Sequence, residues 1–258
     1  MIHLYSKEFL KQREYIPRLD SLVIDEAQDL MSVDVLEVLN TILIGGLGNG
    51  EWVMFLDPNQ NLFNPSEEYD FTWEYIKQMY KPAIWTLSTN CRNTEQIGRR
   101  TSVVALVPPA KHLKISGPKV VMKTFESQVD FQKKIKAELL ALTSGGTPIA
   151  DVVFLSKYRL ANSRLADLKT LCSFPIVEPR DIKHFQKKAI NYFTVHSFKG
   201  LESKVVFIVD VDGFEDIQSR IINYVGMSRA KILLYVFYSN KVSDEYLRVM
   251  DQAEKVLV

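Results

Sequence analysis

The sequence predicts an α/β fold of largely parallel sheets flanked by helices. Apolar runs at Leu22–Ile24, Trp52–Leu56 and Val152–Leu155, and the strongly apolar stretch Val205–Val211, stop abruptly at polar residues, as buried parallel strands do where their carboxyl ends open into a ligand crevice. Segments with helical spacing alternate with these runs, the order that builds a parallel sheet. A chain of 258 residues, 47% hydrophobic and 24% charged, can bury the core of one large domain or two smaller ones.

Taken in order, Met1 to Asp20 reads as a partly helical lead-in. The strand Leu22-Val23-Ile24 then runs into Asp25-Glu26-Ala27-Gln28-Asp29. Ser32 is placed to cap a helix whose apolar positions are Val35, Leu36, Leu39, Ile42 and Leu43, and Gly45, Gly46, Gly48 and Gly50 break it. The strand Trp52–Leu56 ends in Asp57-Pro58-Asn59-Gln60. A right-handed crossover puts both strand ends on one edge, bringing Asp57 and Gln60 beside Asp25 and Glu26. Between Asn61 and Pro82 the aromatics Phe63, Tyr69, Phe71, Trp73, Tyr75 and Tyr80 mingle with Glu67, Glu68 and Asp70, which favours packing over a phosphate path. Ile84–Leu87 reads as a short strand, and Asn93 or Thr94 as the cap of a helix starting near Glu95.

A second α/β domain follows. Lys119–Phe125 is strand-like, and Ser127 with Asp130 resembles a capping box for a helix through Phe131, Ile135, Leu139 and Leu142 that closes at Gly145-Gly146. After the strand Val152–Leu155, Leu165, Leu168 and Leu171 suggest a helix. The stretch Thr194-Val195-His196-Ser197-Phe198-Lys199-Gly200-Leu201-Glu202 then precedes the strand Val205–Val211. Ile221 to Lys231 reads as an amphipathic helix with Arg229 near its carboxyl end, leading into the strand Ile232–Phe237.

Composition excludes some classes. A formal charge of +1 gives no global basic excess, so any nucleic-acid site is a local groove. Cys91 and Cys172 are too few for a disulfide framework, which favours a reducing, cytoplasmic setting. No signal-peptide core is present, and no apolar run approaches the roughly 18 residues of a membrane span. The chemistry concentrates at the strand ends. In a phosphate-handling site an acidic pair such as Asp25 and Glu26 divides the work, one carboxylate holding Mg²⁺ and the other polarising water, although a solvated acidic turn has the same composition. Arg229 reads either as a helix-end cation or as an arginine finger for developing phosphate charge.

The motif order Asp-Glu-Ala-Gln-Asp, Leu-Asp-Pro-Asn-Gln, Asn-Cys-Arg-Asn-Thr, Thr-Val-His-Ser-Phe-Lys-Gly-Leu-Glu and Tyr-Val-Gly-Met-Ser-Arg-Ala closely resembles successive motifs of UvrD/Rep-like superfamily-one helicases, from about Leu22 to Phe237. The resemblance implies RecA-like sheets, one partial domain at 1–83 and one complete domain at 84–258, with ATP between them and single-stranded DNA across them, RNA remaining open. By motif it assigns Asp25 to Mg²⁺, Glu26 to the hydrolytic water, Gln60 to sensing the γ-phosphate, and Arg92 and Arg229 to charge stabilisation. It places Glu202 on the ribose, Gly200 beside the nucleotide, and Phe63, Thr194 and His196 on the nucleic acid.

The departures are equally specific. No Gly-x-x-x-x-Gly-Lys-[Ser/Thr] loop occurs, so the expectation is a carboxyl-terminal portion with an open sheet edge, completed by a P-loop-bearing segment or subunit and inactive alone. Cys91 stands where the family usually has an adenine-stacking aromatic, and Pro65 where a Trp often stacks on a base. The competing class is a non-catalytic nucleic-acid- or protein-binding module derived from a helicase.

Overall fold

The computed structural model describes residues 18–61, 66–113 and 115–256. The chain divides between Thr86 and Leu87 into two compact units.

In the first unit β1 (Ser21–Ile24) pairs in parallel with β2 (Glu51–Met54), Leu22 opposite Trp52 and Ile24 opposite Met54. The crossover is α1 (Val33–Ile42), whose Ser32 cap accepts from the Val35 N–H, followed by the single helical turn Gly46–Asn49. Gly45 and Gly46 both take positive φ there, which is why glycines occupy the break. Next comes α2 (Ser66–Tyr80). Leu36, Leu43, Leu47, Tyr69 and Ile76 form the core against Leu22, Ile24, Trp52 and Met54, with Trp73, Tyr75 and Tyr80 packed on it. The aromatic stretch is thus largely packing, as its acids suggested. The alternate residues of the two strands, Val23, Val53 and Phe55, are 74%, 48% and 52% exposed. Parallel sheets are ordinarily covered on both faces, and this one is covered on one. Among the described residues the sheet has only these two strands. The expected strand Ile84–Leu87 does not form: Ile84, Trp85 and Leu87 are exposed, and no described strand offers them a ladder partner.

The second unit begins with the short parallel pair β3 (Thr89–Asn90) and β4 (Lys111–His112), separated by α3 (Glu95–Ala105). Thr94 occupies the cap position of α3, but its hydroxyl has no partner among the described residues. Then follow β5 (Val121–Phe125), α4 (Gln128–Ser144), β6 (Val152–Ser156), β7 (Thr170–Leu171), β8 (Phe174–Val177), β9 (Ile190–Thr194), β10 (Ser203–Val211), α5 (Ile217–Met227), β11 (Ala230–Ser239) and α6 (Ser243–Val256). They build a seven-stranded sheet in the order β5-β11-β10-β6-β9-β8-β7, parallel throughout except for β7 against β8. The fold is therefore α/β with helices flanking a mostly parallel sheet, as the alternation of runs predicts. Phe207 stacks between Phe154 (4.8 Å) and Tyr235 (4.3 Å), and Phe131, Ile135 and Leu139 bring one face of α4 onto the sheet.

Two boundaries depart from the sequence reading. Helix α5 ends at Met227, so Arg229 lies on the short connection to β11. No helix runs through Leu165, Leu168 and Leu171; a 3₁₀ turn at Leu160–Asn162, further turns and β7 replace it. The cause is Asp210, 5% exposed and left-handed (φ 62) at a register break in β10. Its carboxylate accepts from Ser156 Oγ (2.8 Å), Ser163 Oγ (2.6 Å) and the Arg164 N–H (3.0 Å). A chain whose backbone N–H and hydroxyl are claimed by a buried carboxylate follows that anchor rather than a helical path.

Asp210→Ala orphans two buried hydroxyls and the partly buried Arg164 N–H and is expected to lower stability by about 2–4 kcal/mol, with Asp210→Asn milder, in urea denaturation. A change within about 0.5 kcal/mol for the alanine variant would contradict the anchoring role.

Candidate functional site

In the first unit the backbone sets up the acidic strand end. The Phe55 N–H donates to Ile24 O and the Ala27 N–H to Phe55 O, both at 2.8 Å, so the chain stays against β2 as it leaves β1. Glu26 is left-handed (φ 53) and opens a single 3₁₀ turn, Ala27–Leu30. That turn buries Gln28 completely while Asp25 remains exposed. The Gln28 amide then joins the two strand ends: Nε2 donates to Glu26 Oε2, and Oε1 accepts from the Asp57 N–H at 3.0 Å. Asp57 caps its own turn through the Asn59 N–H (3.0 Å) and accepts from Gln60 Nε2 at 2.7 Å. Glu26, Gln28, Asp57 and Gln60 thus form one hydrogen-bonded chain, the juxtaposition that the parallel pairing of β1 with β2 produces.

Asp25 Oδ1 accepts the Glu26 N–H at 2.9 Å. An exposed carboxylate suits Mg²⁺, which binds through one or two carboxylates together with phosphates and water. Among the described residues no cluster of three metal-ligating side chains exists, so a closed protein cage is not on offer. The donor set fits the metal end of a nucleotide; a glycine-rich cradle for its phosphates is missing from the sequence.

In the second unit Asn93 does the assembling. Its Nδ2 donates to Ala230 O and, at 3.0 Å, to Ser228 O, while the Thr94 N–H donates to Lys231 O at 3.1 Å. Asn90 Oδ1 accepts the N–H groups of Arg92 (3.0 Å) and Asn93 (3.1 Å), which rounds the loop. The segment carrying Arg92 is thereby stitched to the segment carrying Arg229.

The two arginines differ in setting. Arg92 is exposed, with Nε 3.4 Å from Glu202 Oε2. Arg229 is 1% exposed and turns inward: Nε donates to Val225 O (3.0 Å), Nη2 to Ser228 Oγ (3.2 Å) and Nη1 to Leu201 O (3.5 Å). A cation on the last carbonyls of α5 is favoured by the helix dipole. Glu202 stands between Arg92 and Lys231, whose Nζ lies 2.6 Å from Oε1. The Lys231 hydrogen bond, with charge from Arg92 and Arg229, holds its carboxyl below the usual range.

The connection from β9 to β10 starts with the Val195 N–H on Ser156 O at 2.8 Å. Thr194 Oγ1 accepts the Ser197 N–H (3.1 Å) and bonds Ser197 Oγ (3.0 Å), folding the loop on itself. His196 is half-buried, and burial first, then the charge of Lys199, pushes its pKa below the ordinary histidine value. Gly200 is left-handed (φ 79) with nothing within 4 Å of a Cβ position, so glycine serves the turn and leaves open space beside it. Cys91 is exposed and free. Phe63 and Pro65 lie outside the described residues.

Gln28, Asn93 and Lys231 carry much of this geometry; the sequence singled out Asn93 only as one of two candidate helix caps, and Gln28 and Lys231 not at all. Each sits inside or beside a recognised motif. An uncharged amide there announces no chemistry until its partners are known.

Residues 190–237 match the UvrD-like helicase C-terminal domain family. That segment spans β9 to β11 and contains Thr194, His196, Gly200, Glu202 and Arg229, whereas Asp25, Glu26, Gln60 and Arg92 lie outside it. No curated protein matches the chain. A solved structure of the C-terminal domain of a possible DNA helicase from Lactobacillus plantarum WCFS1 is similar over 58% of this chain and 88% of its own, at 14% identity and a TM-score of 0.45.

Gln28→Ala leaves the Asp57 N–H without its acceptor, and Asn93→Ala removes the side-chain donor to the Ser228 and Ala230 carbonyls. Each is expected to cost about 1–3 kcal/mol in denaturation and to speed amide exchange locally, at 26–28 and 57–60 for the first and at 90–94 for the second. Unchanged exchange at those amides would remove the clamping roles.

Proposed function

We propose that the chain is the carboxyl-terminal portion of an ATP-dependent helicase or translocase acting on single-stranded DNA. The observation that carries this reading is the Glu26–Gln28–Asp57–Gln60 chain at the strand ends, present alongside the UvrD-like segment 190–237 in one polypeptide. A module freed from hydrolysis has no need of an acidic pair whose second carboxylate is oriented by a buried amide.

In this reading Asp25 holds Mg²⁺ and Glu26 accepts the proton of the attacking water, oriented by Gln28. Gln60 couples to the same network through Asp57. Arg92 supplies positive charge toward the phosphates, and Glu202, fixed by Lys231, faces the ribose. Arg229 serves chiefly to brace the Leu201 turn, with Gly200 next to the nucleotide. Thr194 and His196 contact the nucleic-acid backbone, and Phe63 stacks on a base. ATP supplies the free energy for movement, and the phosphate cradle comes from a P-loop-bearing segment or subunit.

The uncovered face of Val23, Val53 and Phe55 supports that completion, since an added α/β segment would bury it. A cytoplasmic location fits two free cysteines, and no described helix is long and apolar enough to cross a membrane.

The test joins this chain to the P-loop segment of a UvrD-like helicase and measures ATP hydrolysis stimulated by oligo-dT and oligo-U, with Glu26→Gln as control. Turnover that appears on joining and vanishes in the control supports the motor. Strand binding that persists while no turnover ever appears supports the second reading, a non-catalytic binding module.

His196 adds a pH signature. The free loop keeps it neutral near pH 7.5, and a bound phosphate favours the imidazolium, so binding takes up a proton. Affinity for oligo-dT is expected to rise by up to about tenfold per unit as pH falls from about 7.5 to 6, a dependence lost in His196→Asn. Folding responds oppositely. A depressed histidine means that the unfolded chain binds the proton better, so stability declines as pH falls through the ordinary histidine range.

A further inference from the structure

Three cations act on one carboxylate beside the Arg92 loop. Glu202 gives Oε1 to Lys231 Nζ at 2.6 Å, and its Oε2 lies 3.4 Å from Arg92 Nε. Buried Arg229 adds its field, being among the charges that hold the Glu202 carboxyl below the usual range. The cluster is therefore net positive, and its members Arg92, Glu202 and Lys231 all reach solvent.

The two outer contacts are unequal. Lys231 makes a hydrogen bond, whereas the Arg92 contact is longer than the roughly 3.2 Å limit of a good N–H···O bond, so Arg92 is held by charge alone. Its terminal Nη groups have no partner among the described residues. A guanidinium fork left open in this way suits a pair of phosphate oxygens. Beneath the side chains the backbone is cross-bonded: the Thr94 N–H donates to Lys231 O (3.1 Å), the Ser203 N–H to Arg229 O (3.0 Å), and Asn93 Nδ2 to Ser228 O (3.0 Å). The segments carrying Arg92, Glu202 and Lys231 are thus fixed to one another. What is left to vary is which cation holds the carboxylate. Lys231 directly follows the Ser-Arg-Ala run and takes no role from that motif.

We propose that Lys231 is a positioning residue for phosphate recognition: by occupying Glu202 Oε1 it keeps Glu202 from capturing Arg92, whose guanidinium exchanges its loose ion pair for phosphate oxygens of the nucleotide. The inference rests on the reading of Arg92 in the preceding section. A carboxylate with a single cation in reach draws it into close, two-pronged pairing. A carboxylate already neutralised by Lys231 leaves Arg92 little to lose on departure. The same exchange clears Glu202 Oε2 for a ribose hydroxyl, while Lys231 stays behind as its counter-cation. The competing account is plain attraction between Lys231 and the phosphate, and the 2.6 Å hydrogen bond speaks against it by placing the ammonium on the carboxylate.

Inorganic tripolyphosphate is the probe, because it offers phosphates without a ribose and so leaves the ribose contact of Glu202 out of the measurement. It is titrated into the whole chain at low salt while the Arg92 Nε–H signal is followed by heteronuclear NMR. Lys231→Met is expected to weaken binding at Arg92 by about two- to fivefold, the range of an exposed ion pair, with Lys231→Arg restoring it and thermal unfolding unchanged in both. Glu202→Gln is expected to strengthen binding, since nothing then claims Arg92, and in that background Lys231→Met is expected to have no further effect. An equal loss from Lys231→Met in both backgrounds would mean that Lys231 attracts the phosphate directly, and would overturn the proposal. Unchanged affinity in Lys231→Met, with Arg92 still responding, would also overturn it and leave the Arg92 reading in place. An Arg92 signal indifferent to tripolyphosphate in both the unmutated chain and Glu202→Gln would overturn that reading and this one with it.

Discussion

Parallel strand pairing is the constraint on which the other features depend. In the second unit it aligns β5, β11, β10, β6, β9 and β8 so that each chain leaves its strand at the same edge. Residues separated by many positions in sequence, such as Tyr158, Arg180 and Thr194, thereby belong to neighbouring loops. In the first unit one parallel pair does the same for Asp25 and Asp57. Parallel neighbours cannot be joined by a tight turn, so each pairing also forces a crossover, and the crossovers are the helices that bury the sheet.

Pairing sets the neighbourhood, but buried amides set the geometry within it. Gln28 joins two strand ends, Asn93 joins the Arg92 loop to Ser228 and Ala230, Asn191 pins Gln186, and Asn223 Nδ2 donates to Gly213 O at 3.0 Å. An amide offers donor and acceptor without net charge, so it can be buried at the cost of satisfying both sides rather than of desolvating an ion. Asp210 is the charged counterpart, and it needs three donors to hold its carboxylate inside. Each clamp contributes about 1 kcal/mol net, yet removing one leaves buried partners unpaired and costs more.

The two units differ in how completely they are covered. The second buries an aromatic layer through Phe131, Phe154, Phe207 and Phe237 under helices. The first buries one face of β1 and β2 and leaves Val23, Val53 and Phe55 outside, next to two unextended strand edges among the described residues. An uncovered apolar sheet face of this kind favours association.

Local signals in the sequence translated directly into structure. Ser32 and Ser127 cap their helices, the glycines at 45 and 46 end a crossover at positive φ, and apolar runs stopping at acids became parallel strands. Those features depend on a few adjacent residues, so the chain specifies them without reference to distant parts. By the same means the sequence placed Asp57 and Gln60 beside Glu26, because strands joined by a crossover run parallel and end at one edge. Three outcomes needed the tertiary structure: the loss of a helix at Leu165–Leu171 to Asp210, the inward turn of Arg229 onto Val225 and Leu201, and the unpaired extended chain at Ile84–Leu87. Each was decided by a partner far along the chain or by the lack of a neighbouring strand, and helical or strand periodicity carries no record of either.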